Sequence, residues 1–468
     1  MMPLRLFRLL ALLVLLWFAA VLGNAAPAAS AAKPNVVVVL FDDLGWCQPR
    51  SYWPESEFPM PHFDRLAREG MRFTDAHSAS GVCTPTRYGL LTGRSPWRRG
   101  QYGVLTTYSA PIIPTNRLTL ASLLKPQGYH TACIGKWHLG LTWEGGRPGT
   151  EKSVPIGTRL REGPRQLGFD YFCGFTHARN IGTVIEQDTV VTNLAPVDNQ
   201  PFLLRRALAY LEERARAGGP FLLYLPLGIP HDPVVPAPGF QGRSGVRDTA
   251  GRDPAYGDWM LQGDDALGQV LAALDRHGLS SNTVVVATSD NGAEGRVYPP
   301  LRASKRSIYE GGHRVPFVVR WPGRVPAGTV SDQTVSLNDL FATAAELAGA
   351  MVPPGAGEDS VSLVPAMLGR ASGPLREGTV HQSAAGDLAL RQGPWKLVFL
   401  KDGRRELYDV ASDRRETRDV ADGNPAVVAR LAALMQRYIE EGRSTPGPPQ
   451  RNEVTVTLGG KAAKAGRR

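Results

Sequence analysis

In the run Gly81-Val82-Cys83-Thr84-Pro85-Thr86-Arg87, a cysteine stands two residues before a proline and four before an arginine. Proline favours the first turn of a helix, so the spacing predicts Cys83 at a helix N-terminus, beside the positive end of the dipole and the permanent cation of Arg87. That setting suits an anion, and an inert cysteine buried near a turn also fits it. Two dipeptides could hold a cation. Asp42-Asp43 follows the apolar run Asn35–Phe41, and Asp290-Asn291 follows Thr283–Ser289. If the two runs are neighbouring strands, four oxygen-bearing side chains converge, a set suited to Ca²⁺ or Mg²⁺ and poor for zinc. Each dipeptide alone also fits a turn or a helix cap.

Three further positions carry protons or positive charge. Lys136 and His138 leave a strand together, and an extended backbone there would point both to one side. His231, flanked by Pro230 and Pro233, is a candidate acid or base, or else a turn histidine bonded to a carbonyl. Lys305, ahead of the paired glycines Gly311 and Gly312, would make a second anion contact.

These positions must be held by particular elements. The runs Asn35–Phe41, Phe221–Leu225 and Thr283–Ser289 read as strands buried on both faces of a parallel sheet, whose carboxyl ends are where open α/β sheets place their sites. Helices are predicted over Pro61–Gly70, Leu118–Gln127, Pro201–Ala217 and Tyr256–His277. Another is predicted over Ser336–Gly349, capped by Ser336 or Asn338. From about Gly378 the texture changes to short strands over Leu388–Arg391, Trp395–Leu400 and Glu406–Val410, with a closing helix over Pro425–Gly442. The expected division is a catalytic part over 32–375, a C-terminal α+β part over 376–450 and a disordered basic tail over 451–468. Segments 353–357 and 373–377 are candidate linkers.

The 468 residues are too many for one small core. The formal net charge of +10, or +8 without Arg5 and Arg8, suits anionic partners. The basic residues are scattered rather than striped, which argues against nucleic acid. Residues 1–31 combine Arg5 and Arg8, an apolar run from Leu9 to Leu22 and a small-residue zone. That pattern predicts a cleaved signal peptide, export to a periplasmic, secreted or equivalent compartment, and no stable membrane insertion afterwards. An uncleaved anchor is the alternative. The four cysteines, Cys47, Cys83, Cys133 and Cys173, include no Cys-x-x-Cys pair, so zinc and thioredoxin-like chemistry are not expected. If Cys83 is used in catalysis, at least one of the others should be a free thiol.

Taken together, these motifs resemble the type I, formylglycine-dependent sulfatases of the alkaline phosphatase superfamily. Gly81 to Gly93 matches the Cys-x-Pro-x-Arg signature with its trailing Leu-Leu-Thr-Gly, and Gly128 to His138 matches the second signature. Asp42-Asp43, His231, Asp290-Asn291 and Lys305 fall in the family's order, and the likeness spans Pro34 to Pro316. The resemblance implies an α/β fold: a large, mostly parallel mixed sheet sandwiched by helices, with a smaller C-terminal antiparallel sheet plus helix. It also implies that a maturation enzyme converts Cys83 to formylglycine (3-oxoalanine), whose hydrate attacks sulfur. Asp42, Asp43, Cys83, Asp290 and Asn291 would bind one ion, Ca²⁺ or else Mg²⁺. Arg87, Lys136 and Lys305 would hold the sulfate, His231 or Lys305 would protonate the leaving alcohol, and His138 would take a proton from the second hydroxyl.

The implied substrate is an aryl or carbohydrate sulfate. A phosphoester or phosphonate hydrolase of the same superfamily is one alternative, and a non-catalytic binder of sulfated glycans is another. Pocket walls are expected from Trp97–Arg99, His177–Asn180 and Arg302–Arg306.

Overall fold

The computed structural model describes residues 32–247 and 253–459. The expected signal peptide and residues 460–468 of the expected tail lie outside the described residues. The strand Asn35–Asp42 explains the architecture. All eight of its residues are buried, and alternate side chains enter opposite cores. Val36, Val38 and Leu40 pack in one core with Tyr88, Leu90, Leu120 and Leu340. Val37, Val39 and Phe41 pack in the other with Phe63, Leu203, Trp259 and Leu267. Each such side chain contributes about 1.5–3 kcal/mol when fully buried, so only a strand apolar on both faces can sit here.

Around it lies a ten-stranded mixed sheet. Its order is Thr329–Ser331, Met71–Phe73, Phe317–Arg320, Thr283–Ser289, Asn35–Asp42, Phe221–Pro230, His130–Lys136, Tyr171–Phe175, Thr183–Glu186 and Thr189–Asn193. The five strands from Thr283–Ser289 to Tyr171–Phe175 are parallel, and antiparallel pairing begins on either side of them. The register decides the site. Phe41 pairs with Ser289 and Asp42 with Pro230, so Asp42-Asp43, Asp290-Asn291 and His231 all emerge at one edge.

A four-stranded antiparallel sheet, Thr379–Gln382, Leu388–Gln392, Trp395–Phe399 and Arg405–Asp409, packs one face on the helix Pro425–Glu440. Leu390, Leu397 and Leu407 meet Leu431 and Met435 in that core. From Pro34 onward the described residues form one compact unit.

Several elements differ from the sequence expectation for physical reasons. The helix expected from Pro201 begins at Pro196, which takes the N1 position. Its first turns are held by tertiary bonds, Asn199 Nδ2 to the Ile181 carbonyl and the Gly228 N–H to Gln200 Oε1. The expected helix Leu118–Gln127 is α-helical only over Leu120–Leu124 and continues as a 3₁₀ turn over Lys125–Gln127. Neither Ser336 nor Asn338 caps the helix Asp339–Ala348 with its side chain; instead Asp339 Oδ2 accepts the Ser336 N–H at 2.8 Å. Arg451 to Gly459, assigned to the tail, are held down. Arg94 donates to the Arg451 carbonyl, Glu453 N–H donates to the Arg98 carbonyl, and Val456 and Leu458 pack on the C-terminal core.

Candidate active site

Cys83 is the first residue of the helix Cys83–Thr92, and every residue of that helix is buried. Its Sγ lies 3.5 Å from Asp42 Oδ1 and 3.9 Å from Asp43 Oδ1. One helical turn later, Arg87 faces the same point. It donates from Nε and Nη2 to Asp290 Oδ2 at 3.0 and 2.7 Å, and from Nη1 to the Lys136 carbonyl at 2.8 Å. The two strand-end dipeptides meet: Asp43 N–H donates to Asp290 Oδ1 at 3.1 Å, and Asn291 Nδ2 donates to Asp43 Oδ1 at 2.6 Å. Lys136 Nζ reaches Asp42 Oδ2 at 2.5 Å, and Lys305 Nζ reaches Asp43 Oδ2 at 2.7 Å.

Three carboxylates thus face three cations, all of them buried, which sets their protonation. Burial raises the Asp290 carboxyl to about 6, with Asp42 adding to the rise. Burial would also raise Asp42, but Lys136, His231 and Arg87 hold it well below the usual carboxylate range. Burial, with help from Asp290, pushes the Cys83 thiol well up, so it carries no thiolate at neutral pH. Burial opposes the charge on Lys305, yet the neighbouring carboxylates Asp43 and Asp42 keep it an ammonium.

The histidines correct one expectation. The strand ends at Lys136 and His138 has φ of +58°, so Lys136 and His138 do not share a strand face. They meet the site by different routes. His138 Nε2 sits 2.9 Å from the Leu105 carbonyl, so it carries the proton, and Nδ1 is left buried without a partner. Burial and Lys136 hold this imidazole well below its ordinary range. His231 turns Nε2 to 3.7 Å from Asp43 Oδ2, while Nδ1 lies 2.6 Å from the Asp232 carbonyl.

Asp42, Asp43, Cys83 and His231 each bring one ligand atom within 4.8 Å of the others. With Asp290 and Asn291 they make an oxygen-rich set that fits a hard divalent cation. The telling observation is Asn291 Oδ1, a buried amide oxygen with no hydrogen-bond partner. A second histidine group, His77, His313 and His381, does not fit an ion. The rings of His313 and His381 stack at 4.1 Å and 9°, so their in-plane lone pairs run parallel and cannot meet. All four cysteines are free and buried.

Of the expected pocket walls, Trp97 and Arg98 are not at a surface. Both are fully buried, and Arg98 donates to both oxygens of Asp359 while stacking on Trp97. Sequence reasoning passed over Glu294, which lies 3.2 Å from Lys305 Nζ, only four residues beyond Asp290. His177, expected only as part of a pocket wall, stacks its ring on that of His138 with 5.7 Å between centroids.

The family model described as Sulfatase matches residues 34–350, and one described as N-sulphoglucosamine sulphohydrolase, C-terminal, matches residues 303–444. Arylsulfatase A of Homo sapiens is 34% identical, covering 92% of this chain and 92% of its own. An N-acetylgalactosamine-6-O-sulfatase of Bacteroides thetaiotaomicron is 29% identical, covering 86% of this chain and 93% of its own. A structure solved in work on the metabolism of multiple glycosaminoglycans by Bacteroides thetaiotaomicron superposes with a TM-score of 0.79 at 28% identity, covering 87% of this chain and 99% of that one. Among the described residues no helix is long and apolar enough to cross a membrane.

Proposed function

Because the chain belongs to the sulfatase family, we propose that it is a sulfuric ester hydrolase releasing inorganic sulfate from a carbohydrate or aryl sulfate. The observation that carries this reading is the convergence of Arg87, Lys136 and Lys305 with an oxygen-rich ligand set on Cys83. A tetrahedral anion needs several donors from different directions, and three buried cations from three separate elements offer them here.

In this reading a separate maturation enzyme converts Cys83 to formylglycine, whose hydrate supplies an oxygen nucleophile and a second hydroxyl. The neutral Cys83 thiol is itself a poor nucleophile in its buried setting. Asp42, Asp43, Asp290, Asn291 and the modified Cys83 side chain would hold one ion, Ca²⁺ or else Mg²⁺, which polarises the oxygens near it. Arg87, Lys136 and Lys305 bind the sulfate oxygens and stabilise the charge that builds on them. His231 Nε2 or Lys305 Nζ gives a proton to the departing alcohol. His138 Nδ1, buried, neutral and unpartnered, would accept the proton of the second hydroxyl as the bond from the modified side chain to sulfate breaks. Export through a signal peptide over 1–31 belongs to the same reading. The names of the relatives make 6-O-sulfated N-acetylgalactosamine and aryl sulfates the first compounds to assay.

The test is Cys83→Ala, together with unconverted Cys83, on these sulfate esters, with the mass of the Cys83 peptide measured alongside. Both forms should be inactive, and undiminished turnover by either would sink the mechanism. Matched phosphate and phosphonate esters decide the rival hydrolase reading, which wins if they turn over faster. A fully converted protein that binds sulfated glycans and hydrolyses none would be a binder.

A further inference from the structure

We propose that Lys396 and Glu416, which lie beyond the expected boundary at 375/376, are positioning residues for this reaction. They clamp the single helical turn Glu310–His313 and through it hold Asn291 and Lys305. The proposal rests on the sulfatase reading for its activity readout.

Lys396 stands in the strand Trp395–Phe399 and is fully buried. Its Nζ lies 2.7 Å from Glu416 Oε1, 3.1 Å from Glu310 Oε1 and 3.0 Å from His313 Nε2. Two of the ammonium's three donors thus go to buried carboxylates, and the third faces the His313 ring. Glu416 adds a second grip: its Oε2 accepts the Glu310 N–H at 2.7 Å. Glu310 is held from the other side by Arg314 Nη1 at 2.9 Å. Two buried carboxylates around one buried lysine are a poor source of net stability, because desolvation offsets most of the attraction. Such a group is stiff and directional, which is what positioning needs.

The turn it grips has no slack toward the active site. Gly292 N–H donates to the Gly312 carbonyl at 2.9 Å, and Gly311 N–H donates to the Arg302 carbonyl at 2.9 Å. A Cβ on Gly292 would lie 1.8 Å from Gly311 O, one on Gly311 2.2 Å from Ala303 O, and one on Gly312 2.2 Å from Ser307 O. Backbone therefore rests on backbone at three points. Gly292 directly follows Asn291, and Lys305 sits between the two outer contact points, with its N–H on the Ala293 carbonyl at 3.0 Å. A shift of the turn moves the amide of Asn291 and the ammonium of Lys305 together.

The experiment compares formylglycine-containing wild type with Lys396→Met, which keeps chain length and removes charge, and with the milder Glu416→Gln. Leu431→Ala in the C-terminal core is the control, destabilising the same region without touching the turn. Expected results are a kcat at least tenfold lower for Lys396→Met and at least threefold lower for Glu416→Gln, with KM within about twofold. Amides of 291–294 and 303–313 should exchange at least tenfold faster in Lys396→Met, whereas Leu431→Ala keeps both kcat and that protection. The proposal is overturned if Lys396→Met keeps kcat within twofold, or if Leu431→Ala loses as much as it does. Should Lys396→Met fail to fold, unchanged kcat and exchange in Glu416→Gln overturn it equally. If wild type hydrolyses no sulfate ester, the parent function fails, and the exchange comparison alone decides the clamp.

Discussion

Arg87 points Nε and Nη2 at a single oxygen of Asp290, at 3.0 and 2.7 Å, and both side chains are fully buried. The other Asp290 oxygen takes the Asp43 N–H. Substituting Arg87→Met strands a fully buried carboxylate at the sheet edge. It should cost about 3–5 kcal/mol of stability, measured by urea unfolding, and abolish turnover. The double variant Arg87→Met/Asp290→Asn should recover much of the stability and none of the activity. A single-variant loss below about 1 kcal/mol would show that Asp290 finds another partner.

Asn291 should matter to ion binding out of proportion to its charge. It donates to Asp43 and leaves its own Oδ1 buried and unpartnered. In calorimetric titration of stripped protein with Ca²⁺, one ion should bind, and Asn291→Ala should weaken it by roughly tenfold or more. Equal affinity in the two proteins would remove Asn291 from the ligand set.

His177 should make the fold acid-sensitive. Burial, with Lys136 nearby, pulls its imidazole down to about 4. The unfolded chain, with an ordinary value near 6.5, therefore binds more protons between about pH 4 and 6.5. Stability is fully present above 6.5 and is lost as pH falls toward 4, by at most about 3 kcal/mol. Melting temperature against pH should fall less steeply over that window in His177→Gln than in wild type, and parallel curves would rule the imidazole out.

Gly292→Ala should damage the site through the backbone. The added methyl would sit 1.8 Å from the Gly311 carbonyl oxygen, which cannot swing away as a flexible side chain could. A loss of about 1–3 kcal/mol and of most turnover is expected. Gly239→Ala, where nothing lies within 4 Å, should be neutral in thermal melts and in kcat. Similar behaviour of the two variants would contradict the close approach.

Much of this protein is legible without coordinates because its chemistry sits at the ends of continuous apolar runs. A run such as Val36 to Phe41 can be buried only on both faces of a sheet, and its polar continuation must then emerge at the sheet's edge. The helix start at Cys83, with Arg87 one turn later, follows from local spacing in the same way. Lys396 offered a signal of its own, a lone lysine within the apolar run Trp395 to Phe399 that calls for buried counter-charges. Which carboxylates answer it could not be read, because Glu310 and Glu416 lie on other segments, 86 and 20 residues away, that only the fold brings to Lys396.

The two-sided strands, the oxygen pairs that end them and the helix that presents Cys83 are written locally, since each depends on neighbours within a few residues. The assembled fold was needed to show that Phe41 pairs with Ser289, that His138 turns back with positive φ to leave Nδ1 free, and that Trp97 and Arg98 are core rather than rim. It alone decided that a distant sheet grips the Glu310 turn. Those outcomes depend on strand order, close backbone contact and charge compensation between segments that are not neighbours in the chain, and no local pattern encodes them.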